Sequence, residues 1–167
     1  NHEEPRFYAE VVIRAGAKND PEDATGLAHY LEHLLFKGTQ ELGTVDYEKE
    51  KPHLDRITEL YEQHYSETDA EKRKEIYAEI NAESQLAAQY AVPNEIDKLY
   101  QSMGASFKNA GTGQEVTLYQ VNLPSNRLQQ WAQIESHRLF GTPVFRLFHS
   151  ELEVVYEEKN RALDNKS

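Results

Sequence analysis

From Phe7 to Ile13, the residues Phe7, Ala9, Val11 and Ile13 alternate with Tyr8, Glu10 and Val12, and the run stops at Gly16. A period of two puts one set of side chains on one face of an extended chain, so this segment predicts a β-strand. Extended character returns only after Gly104, in SFKNAGTG and then VTLYQVNL, closed by Pro124. Between these stretches the chain reads as helical. AKNDPEDAT (17–25) is turn-rich and ends in Thr25, a candidate N-cap for a helix over about 26–37 that Gly38 stops. From about 46 to 102, Leu54, Ile57, Tyr61, Ile76, Ile80, Ala87 and Tyr90 recur at helical spacing. This predicts a helical hairpin divided by SETDAE, with Thr68 and Glu71 as a capping box and Pro93 ending the second arm before a shorter helix. Two more helices, roughly 126–140 and 148–163, are separated by Gly141 and Pro143. The order predicts an α+β fold: a mostly antiparallel sheet layered with helices, one domain over 1–167, carrying a helical insert at 46–102.

Composition narrows the chemistry. A chain of 167 residues, 38% hydrophobic, can bury one real core. It opens on Asn1 rather than Met, which leads us to expect a fragment with an upstream piece removed. A formal net charge of -11 argues against nucleic acid as a partner, because phosphate binding needs clustered Lys and Arg. The chain has no Cys, so a metal would have to be held by His, Asp and Glu. No apolar run reaches 18 residues, so no membrane span is expected. The glutamate-rich hairpin reads as a solvated structural element.

GLAHYLEHLLFKGT (26–39) is unusual for a helix that looks buried. On a wheel of about 100° per residue, His29, Glu32, His33 and Phe36 share one side. Leu27, Leu31, Leu34 and Leu35 take the other, and supply a core-facing stripe without them. Histidines four apart have Cβ atoms about 5–6 Å from each other, close enough to converge on one ion. Glu32 sits beside the pair and could move a proton from an attacking water to a leaving amine. His-x-x-Glu-His inverts the commoner His-Glu-x-x-His zinc helix and is itself a peptidase motif.

A third ligand is expected from SELEVVYEEKNRALDN (150–165). There Glu153 and Glu157 share a side with Asn160 and Asp164, a solvated face. Glu151 and Glu158, seven apart, fall within about 20° of each other on the wheel, flanked by Val154, Val155 and Ala162. Carboxylates on an apolar stripe need a partner, so one of them is the candidate third ligand beside His29 and His33, with a fourth position open. The alternative is a glutamate paired with Arg138, Arg161 or another base.

These residues resemble the pitrilysin and insulinase family of zinc metallopeptidases, which includes the mitochondrial processing peptidases. GLAHYLEHLLFKGT resembles its signature, KNAGT with VTLYQVNLP its Asn-Ala-x-Thr strand pair, and ELEVVYEEKNR its Glu-x6-Glu helix. The resemblance implies one Zn2+ per domain, held by His29, His33 and Glu158, with Glu32 as general base and Glu151 as a supporting carboxylate. Asn109, Ala110 and Thr112 would belong to an edge strand that receives an extended substrate as an added strand. The implied activity is endopeptidase cleavage of unfolded or short polypeptides by a zinc-activated water. The alternative is a non-catalytic subunit for peptide binding or assembly; a purely structural zinc domain is a third reading. His33 and Glu158 lie farther apart than is usual in the family, by about the size of the helical insert. The family works as a clamshell, so a homologous C-terminal half or partner subunit is implied, and this piece alone would be inactive.

Overall fold

The computed structural model describes residues 5–141 and 143–164. Among them are three strands, β1 Arg6–Ile13, β2 Phe107–Thr112 and β3 Thr117–Pro124. Six α-helices accompany them: α1 Leu27–Leu34, α2 Tyr47–Ser66, α3 Ala70–Ala88, α4 Glu95–Ser102, α5 Leu128–Glu135 and α6 Phe148–Asp164. The fold is α+β with an antiparallel sheet, as the element order predicted. The chain divides into two compact units, residues 1–39 with 94–167, and residues 40–93.

In the first unit the sheet order is β1-β3-β2, with both pairings antiparallel. Directly opposed residues share a face. Phe7 lies opposite Leu123, Ala9 opposite Val121, Lys108 opposite Val121, Ala110 opposite Tyr119 and Thr112 opposite Thr117. The central strand shows which face is covered: Thr117, Tyr119, Val121 and Leu123 are buried, and the residues between them only half so. Val121 and Leu123 join Ile96, Tyr100 and Met103 in one apolar cluster, closed by Phe7, Ala9, Phe36, Ala105, Trp131 and Ile134. Removing the Leu123 side chain from water stabilises the fold by roughly 1.5–3 kcal/mol. The opposite face leaves Tyr8, Val12 and Phe107 exposed.

Arg138 is buried at the edge of this cluster on a single π-helical turn, Ser136–Phe140, where a longer α-helix was expected. Its guanidinium pairs with Glu135 at 2.5 Å and lies 4.4 Å from the Phe36 ring centroid and 4.5 Å from that of Tyr119. A buried cation is tolerable because it is ion-paired and faces two aromatic rings. The Tyr100 hydroxyl donates to the same Glu135 carboxylate, and burial followed by that charge pushes its pKa up.

The second unit is the α2–α3 hairpin, whose buried apolar residues are Ile57, Leu60, Ile80 and Ala87. Its two ends meet: Val45 N–H donates to Tyr90 O at 2.8 Å and Val92 N–H to Gly43 O at 2.9 Å. The expected Thr68 cap is not used. Asp69 is the N-cap of α3 and accepts from the N–H groups of Glu71 and Lys72, while Glu67 accepts from those of Thr68 and Asp69. A carboxylate satisfies these donors with its charge at the positive end of the helix dipole, which a hydroxyl does not supply. α4, which the sequence reading included in the insert, falls in the first unit.

Candidate metal centre

Helix α1 is capped from a distance. Gly26 precedes it at φ 100, a left-handed conformation that glycine adopts without Cβ strain. Asp20, six residues upstream of Gly26, accepts from Gly26 N–H at 2.7 Å and from Ala28 N–H at 2.8 Å. The expected N-cap, Thr25, instead accepts a hydrogen bond from Lys159 on α6 at 3.1 Å. The turn Ala17–Asn19 folds Asp20 back to the helix start, so a carboxylate takes the place of a local hydroxyl.

Only part of the leucine stripe faces inward as the wheel suggested: Leu34 is buried and Leu35 half-buried, while Leu27 and Leu31 are not. Leu27 and Leu31 are 38% and 40% exposed, whereas Glu32 is 6% and Leu34 3% exposed. The side bearing the histidines and Glu32 is the one that meets β2 and α6. Val154 is likewise exposed while Val155 is buried, so the apolar stripe expected around Glu151 and Glu158 is only partly built. The side chains of Asn160, Ala162 and Asp164 lie outside the described residues.

His29, His33 and Glu158 come together. His29 Nε2 lies 3.2 Å from His33 Nε2, and Glu158 Oε2 lies 3.5 Å from the first and 3.6 Å from the second. For ligands bound at about 2.0–2.1 Å in a tetrahedron, the donor-to-donor edge is roughly 3.3 Å, so this triangle has the size of three corners of a zinc site. Glu158 is not neutralised by a nearby arginine: among the described residues Arg161 pairs with Glu157 and Arg138 with Glu135.

Glu151 approaches the other nitrogen of His33, with Oε2 3.3 Å from Nδ1, while its Oε1 pairs with Lys37 at 2.5 Å. A carboxylate on Nδ1 fixes the imidazole so that Nε2 presents its lone pair to an ion. Tyr30 donates its hydroxyl to Phe148 O at 2.5 Å, holding α1 to the start of α6. Its pKa is pushed up to about 12, first by burial and then by the Glu151 charge.

Glu32 points to the sheet, where the Thr112 hydroxyl donates to its Oε2 at 2.6 Å. Burial, and to a lesser extent the charges of Glu32 and Glu135 working against Arg138, push Tyr119 up to about 12. Asn109 and Ala110 lie on β2, at the edge of the sheet, in regular pairing with Gln120 and Tyr119 rather than in a turn or bulge. Sequence reasoning missed four contacts: the Asp20 cap, the Lys37–Glu151 pair, the Tyr30 tie and the Thr112–Glu32 bond. Lys37 was the most accessible, since in the helix expected over 26–37 it follows His33 by four residues, although α1 itself ends at Leu34.

Residues 1–51 match the family described as Insulinase (Peptidase family M16). Over 102 residues the sequence is 28% identical to Protease 3 of Salmonella typhimurium, a match covering 59% of this chain and 9% of that protein. Over its first 51 residues the chain is thus similar to the insulinase family. The crystal structure of a protease from Helicobacter pylori has the same fold, with a TM-score of 0.62 at 21% identity, over 96% of this chain and 27% of that one. The chain thus spans a small part of the length of these insulinase-family and protease relatives. Its own described helices include none long and apolar enough to cross a membrane.

Proposed function

We propose that this chain is the zinc-carrying part of an endopeptidase that hydrolyses unfolded or short polypeptides, with the metal held by His29, His33 and Glu158. The observation that carries the reading is the donor triangle with edges of 3.2, 3.5 and 3.6 Å beside a buried glutamate. Two imidazoles and one carboxylate match the donor set of catalytic zinc, which keeps a fourth position open. Zinc bound there supplies Lewis acidity toward a carbonyl oxygen and makes water a nucleophile near neutral pH.

The remaining roles follow from the chain itself. Glu32 takes the proton of the attacking water and returns it to the leaving amine. Glu151 holds His33 through Nδ1 and is itself held by Lys37. The main chain at Asn109 and Ala110, on the sheet's edge strand, receives the substrate as an added strand. A homologous second half, as in the family's clamshell, would complete the substrate chamber. Residues 46–102 would be an insert within one partial domain.

The test is a cleavage assay on the complete protein with a quenched unfolded peptide. Activity should vanish with a chelator and return with zinc. Glu32→Gln should retain metal yet lose turnover by about 10²-fold or more. Zinc binding with no turnover in the wild type would favour the assembly-subunit reading instead.

A further inference from the structure

We propose that Thr112 is a positioning residue for Glu32: its hydroxyl sets the direction of the carboxylate and ties it to the strand that would receive the substrate. The inference rests on the peptidase reading above and extends it, since that reading gave Thr112 only a place along the substrate strand.

A glutamate on a helix has a poorly defined last torsion, because a terminal sp³–sp² bond has broad minima. Packing can bury such a side chain without orienting its two oxygens. Glu32 is 6% exposed, and among the described residues the Thr112 hydroxyl is its hydrogen-bond partner, at 2.6 Å. The donor is well fixed. Thr112 is β-branched and ends β2, and Thr117 lies directly opposite it on β3. The Thr117 hydroxyl donates its proton to Ala15 O at 2.9 Å and stands 3.4 Å from Thr112 Oγ1. The Thr117 proton is thus committed to Ala15 O, and the Thr112 proton is left for Glu32. With Oε2 held, Oε1 is the oxygen free to meet the attacking water. The bond also joins positions 80 apart in sequence, so the base on α1 is aligned by the same strand whose edge carries Asn109 and Ala110.

Valine keeps the shape of threonine and removes the hydroxyl; serine keeps the hydroxyl and removes the methyl. In the zinc-loaded complete protein, Thr112→Val should keep its metal and its KM within about 2-fold while kcat falls about 10-fold or more, because a small misplacement of a reacting group costs up to about 10²-fold. Thr112→Ser should restore kcat to within about 3-fold of wild type by the same reasoning. A crystal structure of Thr112→Val should show the Glu32 carboxylate turned from its wild-type direction. If Thr112→Val fails to fold, Thr112→Ser and Thr112→Ala carry the test, with serine active and alanine impaired. Wild-type kcat with an unmoved Glu32 in Thr112→Val would overturn the proposal. So would a rise in KM alone, which marks direct substrate contact, or equal defects in serine and alanine. Cleavage abolished by Glu32→Gln but untouched by Thr112→Val sinks this inference alone. Equal turnover by wild type and Glu32→Gln sinks the peptidase reading, and this inference with it.

Discussion

His33 is the residue on which the site turns, because its two nitrogens face different partners: Nδ1 meets Glu151 and Nε2 meets His29 and Glu158. Removing the charge from the Nδ1 partner should loosen the imidazole without deleting a ligand. Glu151→Gln is expected to weaken zinc affinity by about 10–100-fold, measured by competition with a chromophoric chelator. His149 offers a separate test. Burial holds its pKa below the ordinary histidine range, with the Glu153 charge pulling weakly the other way. The unfolded chain then takes up a proton near pH 6.5 while the native state resists it. Its contribution to stability is therefore complete above about pH 6.5 and is lost as pH falls toward the lower native value. Urea midpoints at about pH 7.5 and 5.5 should drop less in His149→Phe than in wild type. The positions of His29, Glu32 and His33 were legible from spacing within one helix. The side of the helix that faces inward was not, because Leu27 and Leu31 look like core residues to any wheel yet remain exposed.

At the scale of elements, the seven-residue interval between Glu151 and Glu158 acquires a purpose. Two helical turns carry the chain about 10.5 Å along α6. One carboxylate thereby reaches Nδ1 of His33 and the other the Nε2 side. The arrangement depends on phase. Inserting one alanine between Val154 and Val155 should rotate Glu158 by about 100° relative to Glu151. We expect that variant to stay helical by circular dichroism and to lose stoichiometric zinc. Retention of full zinc content would show that Glu158 is not a ligand. β2 and β3 were recognisable as strands, but nothing local announced that a hydroxyl on β2 would meet a carboxylate on α1. That contact depends on how the sheet and helix pack.

For the molecule as a whole, the hairpin unit closes on itself, with Val92 N–H bonded to Gly43 O. Excising residues 44–91 and bridging Gly43 to Val92 with two glycines should therefore leave the first unit folded and able to bind zinc, read by near-UV dichroism and metal content. Loss of both would mean that residues 40–93 are more than an insert. If the proposed function holds, with its homologous second half completing the substrate chamber, the 167-residue chain by itself should show little proteolysis even when zinc-loaded; robust cleavage of a quenched peptide would refute this. The sequence by itself determined the α+β class, the approximate places of the helices and strands, and the residue types able to hold a metal, because periodicity, turn residues and donor chemistry act over a few residues. Only the tertiary structure decided that Asp20 rather than Thr25 caps α1, that Lys37 answers Glu151, and that Glu158 stands 3.5 Å from His29. Those outcomes depend on side chains distant along the chain being brought within bonding reach. That is a property of packing, which no local pattern encodes.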